Sequence, residues 1–439
     1  MATFRIFRVC STGPYQDMFQ AFVAGLGPVS FDAKLEACRR NGFLYPADFK
    51  SAMERAGAQV MEAIIDQEAL QRQWLRETGD GAAYDKAETF FRQLQAFKPD
   101  VVHFQTFSGL SHELRKQIKA RCPSVKLVTG HRGFPCFDCA GYEDVDAVFL
   151  GYPRHHDYWR AVGVRHTFHQ DHGFDASLLP AVEAGAATRA MHDFTFIGTT
   201  GWGFGPHDGR YYDMRKLLKQ TNLEIWGNEP AQVQSLLRTK ARESTLAVLQ
   251  YMPMVSIKAL SKVGQWGGPD ICIRAANAAF QRKAMLAQSR EAKSMPAPPP
   301  ANDYWYLREK PIRALYPTRI HAPVFGLDYL RLLAASRVSW NRQLEMDGAG
   351  ANMRLFEACG VGSCQMSDVR PEVTAAYVPD EEIVVYTSIE ECVDKAKYLL
   401  NNENARRKIA LAGQARTLRD HTTAQRAAEM HGQIVGMLA

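Results

Sequence analysis

An α/β fold of two doubly wound parallel units is predicted by three observations. The chain has 439 residues, more than one ordinary core organises. Short β-rich runs alternate with segments of helical apolar spacing. An Ala/Gly-rich, linker-like stretch at 181–192 divides this pattern, and a second alternating series follows it.

The first series opens with a buried strand over 4–9, ended by the turn Cys10-Ser11-Thr12-Gly13-Pro14. Met53, Val60, Ile64, Leu70 and Trp74 carry helical spacing across 47–76. A helix is expected over 86–97, closed by Lys98-Pro99-Asp100, then a strand over 101–104 and a helix over 110–120. Strands over 125–129 and 146–150 and a helix over 155–162 complete the unit, and His172-Gly173-Phe174-Asp175 ends it.

The second series begins with a strand over 194–197, a Gly-rich loop from Gly198 to Gly209 and a strand over 223–226. Residues 231–325 read as an insertion. It holds amphipathic stretches, a stiff Pro-rich run over 295–301 and an aromatic, basic segment over 304–316. Regularity returns with a helix over 327–336, a strand over 338–340, a polar helix turn with a Gly-x-Gly, a strand over 382–386 and a helix over 389–400. The tail over 404–436 is helical, broken near 420–422.

Composition narrows the function classes. Apolar residues make up 46% and charged residues 23%, ordinary for a globular protein. A net charge of +6 is mild for this length and falls short of a nucleic-acid footprint. It suits an anionic small molecule or loose peripheral contact with acidic membrane lipids. No apolar run approaches the roughly eighteen residues that read as a membrane span. The N-terminus alternates like a strand and shows no signal-peptide core, and nine cysteines without repeated spacing favour a reducing compartment, so a cytoplasmic protein is expected. Cys136 and Cys139 lack the second pair or the histidines that zinc needs, so no metal site is assigned.

The most chemically informative stretch runs from Asn352 to Asp368. Asn352, Arg354 and Glu357 lie on one amphipathic turn, and three-residue spacing puts Arg354 and Glu357 on one helix face. Met353, Leu355 and Phe356 anchor that turn to a core, and Gly360 and Gly362 follow it. A carboxylate beside a helix N-terminus and a glycine turn can hold the hydroxyls and phosphates of a nucleotide. Read without that turn, the pair is a solvated ion pair. His131 and Gly13 stand at expected carboxyl ends of strands, where ligands of such sheets bind. His103 lies within a strand and reads as structural, and His155-His156 reads as surface charge.

These residues carry a resemblance. Phe325-Gly326, Tyr329 and Leu333, then Arg354 to Gly360, Asp368, Glu382 to Tyr386 and His421-Thr422 are similar to the GT-B glycosyltransferases of the glycosyltransferase group 1 superfamily, most of all its CgeB-like group. That likeness covers about 324–430; a weaker one lies in Lys98 to His103, Val128 to His131 and Gly173 to Asp175. It implies two Rossmann-like domains facing a central cleft: an acceptor-side domain over 1–180, a nucleotide-sugar domain over 190–420, and a C-terminal helix over 421–439 packing back on the first domain.

The resemblance also implies a glycosyl transfer from a nucleotide diphospho-sugar donor to a glycan, lipid-linked or protein acceptor, with no further cofactor. Glu357 would bind the ribose, and backbone near Gly360 and Gly362 would lie close to the diphosphate. Arg210, after the Gly198 loop, would neutralise the leaving group, and His131 would lie beside the donor sugar. Gly13, Gly198, Asn352 and Arg354 complete the expected donor set. One departure stands out. The superfamily often carries a glutamate, seven residues and a second glutamate; here the first position is Ala349, with Glu345 and Asp347 nearby. A nucleotide-sugar epimerase on the same fold, or a non-catalytic sugar-nucleotide-binding protein, therefore stays open beside the transferase, as does a homo-oligomer.

Overall fold

The computed structural model describes residues 3–12, 16–79, 83–133, 142–152, 155–184, 186, 190–202, 208–229, 253–265, 272, 275–276, 279, 309–343 and 350–439. It contains two six-stranded parallel sheets. The first comprises β1 (Arg5–Cys10), β2 (Gln59–Ile64), β3 (Val101–Phe104), β4 (Leu127–Arg132), β5 (Ala147–Leu150) and β6 (His166–His169), in the order β2-β1-β3-β4-β5-β6. The second comprises β7 (His192–Ile197), β8 (Glu224–Trp226), β9 (Ile320–His321), β10 (Ser336–Asn341), β11 (Cys364–Asp368) and β12 (Val384–Tyr386), in the order β12-β11-β10-β7-β8-β9. Each sheet has a topological switch point, between β1 and β3 in the first and between β7 and β10 in the second. Crevices for ligands open there, beyond the strands' carboxyl ends.

Burial explains why these runs form strands. Val101, Val102, His103 and Phe104 of β3 and Ala147, Val148, Phe149 and Leu150 of β5 are all buried, as central parallel strands covered by helices on both faces must be. Phe194, Phe196, Val338, Trp340 and Met366 do the same in the second sheet. Helix starts carry their own caps: Ser30, Asp85, Asn352, Ser388 and Thr422 each accept a backbone N–H of the first turn.

Three expectations change. The helical spacing over 47–76 is two helices, Phe49–Arg55 and Glu68–Glu77, with β2 between them. Val60 and Ile64 stand four apart, which fits either period, and the burial of a central-sheet neighbour decides for the strand. The run assigned to an insertion, 231–325, closes on β9, which pairs with β8. A two-residue strand has no periodicity to read. His155 is buried against Tyr152, ring centroids 5.4 Å apart, rather than part of a charged surface. The Pro-rich run and the Cys136–Cys139 pair lie outside the described residues, as do Gly13, Glu345, Asp347 and Ala349.

The two units are joined by backbone pairing and by helix packing. Phe174 pairs with the chain at 421–423 through Phe174 N–H to His421 O (2.8 Å) and Thr423 N–H to Phe174 O (2.9 Å). The helix Thr423–Leu438 then lies on the first unit: Ala427, Met430 and Ile434 are buried with Phe4, Ile6 and Phe49. Each large apolar side chain so buried contributes about 1.5–3 kcal/mol. Among the described residues no helix is long and apolar enough to cross a membrane.

Candidate functional site

The carboxyl edge of the second sheet gathers cations. After β7 the chain turns at Gly198, whose φ of +146° favours glycine and whose added Cβ would stand 2.5 Å from Arg354 Nη2. The missing side chain is what lets a guanidinium approach the strand end. Arg354, in the first turn of the helix Met353–Gly360, lies 4.6 Å above the Phe196 ring and donates to Asn341 Oδ1 (3.1 Å). Arg210, at the start of the helix Asp208–Gln220, lies 5.6 Å from the same ring. It donates to Thr199 O (3.4 Å) and Oγ1 (3.3 Å) and to Arg342 O (3.1 Å). Its guanidinium therefore spans the switch point from the end of β7 to the end of β10.

The electrostatics of this edge are unusual. Arg210 is buried, and its partners are neutral oxygens. Burial first, then Arg354 and Arg342, push Arg210 down from 12.5 to about 9. Among the described residues the buried Nε atoms of Arg210 and Arg354 have no hydrogen-bond partner. Nearby carboxylates are already engaged: Asp213 holds Arg342 (2.7 Å), and Asp368 holds Arg370 (2.9 Å) while accepting the Gln343 N–H (2.8 Å). Beside them a pocket of about 470 Å³ opens at the ends of β10, β11 and β12. Guanidinium groups that no described carboxylate bonds, set beside a helix N-terminus, make a site for an anion.

Asn352 fixes the start of that helix. Its Oδ1 accepts the Leu355 N–H (3.2 Å) as N-cap, and its amide exchanges bonds with Asn341 (3.0 and 3.1 Å). Asn341 thus orients both the cap and Arg354. Sequence reading passed over Asn341 and Arg342; the available signal was polar residues placed where a strand leaves the sheet.

Arg354 and Glu357 share a face but not a partner. Glu357 is 8% exposed, and Tyr329 donates to its Oε2 at 2.6 Å. Burial pushes the Glu357 carboxyl up, while the Tyr329 hydroxyl and the Arg354 charge pull it down. The solvated ion-pair reading does not hold.

Gly360 and Gly362 require correction. They sit at and beyond the C-terminal end of the helix whose N-terminus carries Asn352 and Arg354, roughly 10 Å away at about 1.5 Å per residue. A Cβ on Gly360 would stand 2.2 Å from the Phe174 ring, so this glycine serves the joint between the units. Gly362, at φ +79°, is the left-handed residue past the helix end and faces Gln414. Neither lies where a diphosphate at the helix N-terminus would be.

His131 ends β4 in the first unit and is half-buried. Its ring meets His172 edge-on at 5.6 Å. Burial, then His172, His103, Arg8 and Arg132, hold it well below its ordinary value, so the imidazole is neutral near pH 7. The sheet edge beside it meets the second unit through glycines. A Cβ on Gly151 would lie 3.8 Å from Gly133 Cα, and one on Gly350 would lie 1.6 Å from Gly151 O. The backbone just before Asn352 thus packs on the first sheet's carboxyl edge.

At the carboxyl ends of β1 and β2 in the first unit, polar groups are tied internally. Asp66 accepts Ser11 Oγ (2.8 Å), Thr12 N–H (2.8 Å) and Thr12 Oγ1 (3.0 Å). One further cluster, His112, Glu143 and Asp144, brings its ligand atoms within 4.8 Å of one another. Arg115 stands 3.4 Å from Asp144 there and supplies the cation.

The two doubly wound parallel α/β units are the architecture that the GT-B resemblance implies. Residues 284–432, a third of the chain, match a family model described as glycosyl transferase-like. Comparison with curated proteins finds no match. Similar solved structures include HepE from Anabaena in complex with UDP-glucose (9% identity, TM-score 0.49, covering 99% of this chain and 100% of that one). Others are sucrose-phosphate synthase from Thermosynechococcus elongatus (12%, 0.49, 99% and 98%) and trehalose 6-phosphate synthase from Burkholderia multivorans (9%, 0.49, 100% and 97%).

Proposed function

We infer that the protein is a glycosyltransferase that moves a sugar from a nucleotide diphosphate donor to an acceptor. One observation carries the reading: Arg210 and Arg354 converge on the Phe196 ring at the second switch point, and among the described residues no carboxylate bonds either guanidinium. Negative charge develops on the leaving diphosphate during transfer, and preorganised cations aimed at it are the main catalytic requirement. Arg210 and Arg354 take that role, Asn352 and Gly198 shape the same edge, and Glu357 takes the ribose hydroxyls.

His131, at the carboxyl edge of the first sheet, takes the sugar end of the cleft in this reading. Neutral near pH 7, it accepts a hydrogen bond or a proton from a donor or acceptor hydroxyl. The domains follow as an acceptor-side unit over 1–180, a donor unit over 190–420 and a returning helix over 421–439. Within the superfamily the CgeB-like group fits best, on Phe325-Gly326, Tyr329 and the stretch Arg354 to Gly360. A hexosyl donor and a cytoplasmic setting complete the reading.

Thermal-shift screening against UDP, GDP, ADP, CDP and dTDP, followed by product analysis with the matching nucleotide sugars, tests it. A raised melting point for one diphosphate and transfer or slow hydrolysis of its sugar are expected. An isomerised donor would make the protein an epimerase, and binding without turnover a binding protein.

A further inference from the structure

The residue that holds Glu357 is itself held by the other unit. Tyr329 belongs to the helix Gly326–Ala334 of the second unit, and its hydroxyl donates to Glu357 Oε2 at 2.6 Å. Among the described residues no group bonds Oε1, the oxygen left for a ligand. The start of the Tyr329 helix rests on the first unit. Asn41 ends the first-unit helix Phe31–Arg40, and its carbonyl is one of the orphan acceptors that a helix C-terminus leaves. Leu327 N–H donates to that carbonyl at 2.8 Å. A Cβ on Gly326, at φ +58°, would stand 2.3 Å from the same oxygen, so the approach requires glycine.

The chain after Asn41 is pinned in turn. Arg8 donates to Tyr45 O (2.5 Å) and Pro46 O (3.0 Å) and is locked by Glu62 (2.7 Å) within the first core. Asp175 accepts the Ala47 N–H (2.6 Å), and Tyr45 Oη donates to Gly173 O (2.7 Å). The Tyr45 phenol is raised by burial and then by the Glu357 charge, which puts both at the same joint.

We propose that Tyr329 is a positioning residue that couples the ribose contact of Glu357 to the seating of the second unit on Asn41 of the first. The proposal rests on Glu357 binding ribose, as argued above. It makes donor recognition a property of the two-unit assembly, because the carboxylate is aimed through a helix the first unit holds.

The test uses the full chain and two probes: whichever of UDP, GDP, ADP and CDP raises the melting point most, and the 2′,3′-dideoxy form of that nucleotide. Wild type is expected to prefer the ribonucleotide by about tenfold or more, the worth of hydrogen bonds to a charged group. Tyr329→Phe is expected to lose most of that preference and raise KM for the matching donor, with kcat changed by less than about threefold. Gly326→Ala, which pushes the helix off Asn41 without touching the Tyr329–Glu357 bond, is expected to lose part of it and serves as readout should Tyr329→Phe not fold.

A wild-type preference that Glu357→Gln abolishes, but Tyr329→Phe and Gly326→Ala retain, overturns the coupling and leaves the donor reading standing. No binding by wild type of any of the diphosphates overturns the donor reading, and the coupling with it. Binding without ribose preference removes Glu357 as the ribose contact and overturns the coupling alone.

Discussion

The carboxyl edges of the two sheets use opposite chemistry. At the ends of β1 and β2 in the first unit, Asp66 collects the Ser11 and Thr12 donors. In the second unit Arg210 and Arg354 are set against an aromatic face and neutral oxygens, and each has a buried nitrogen with no partner among the described residues. Buried donors without partners cost stability, roughly 1–3 kcal/mol apiece and more when charged. At the second switch point that cost falls where an anion would offset it.

That contrast can be broken by substitution. The largest effect is expected at Arg210: Arg210→Met should lower turnover about 10²–10³-fold, the usual loss for one group stabilising developing charge. The variant should fold, because it removes a buried cation, and a melting point at or above wild type checks this. His131→Ala should lower kcat about 10²-fold while leaving donor KM nearly unchanged, measured in steady-state kinetics; a wild-type rate would return His131 to structure. Glu357→Ala should weaken nucleoside diphosphate binding about 10–100-fold by calorimetry.

Gly360→Ala sharpens the correction made above. Its Cβ meets the Phe174 ring, so the variant should lose about 1–3 kcal/mol in urea unfolding. Affinity per folded molecule should stay intact. Lost affinity with unchanged stability would restore Gly360 to the donor site.

The smallest effect is in acid. His103 is buried between Phe49 and Phe149, and burial lowers it from 6.5 to about 3. The unfolded chain takes up the proton first, so stability is lost as pH falls from about 6.5 toward about 3. His103→Gln should make that decline shallower in unfolding measured across pH, and an unchanged slope would count against a neutral buried His103.

Much of this was legible in the residues. Phe194 to Ile197 and Trp340 announce their strands because aromatic and β-branched runs fit buried sheets, and Lys86–Phe97 is bounded by its cap Asp85 and by Pro99. What stayed hidden depends on long-range packing. The strand β2 shares its spacing with a helix, and β9 is too short to show a period. At the site, Arg354, Glu357 and Asn352 could be picked out together because one helix turn carries them. Arg210 came only through the resemblance, since Arg210 and Arg354 are 144 positions apart. Their common seat on Phe196 exists only once β7 and β10 lie side by side. Gly360 misled because a Gly-x-Gly after a polar turn is equally a helix ending and a phosphate loop.

The central claim is that the second edge binds a diphosphate through Arg210 and Arg354, which no described carboxylate bonds. Calorimetric titration of the best-binding nucleoside diphosphate and of its parent nucleoside, against wild type and Arg210→Met, tests it most directly. Wild type should bind the diphosphate at least about tenfold more tightly than the nucleoside, and Arg210→Met should erase most of that difference while still binding the nucleoside. Equal preference in the two proteins would contradict the claim.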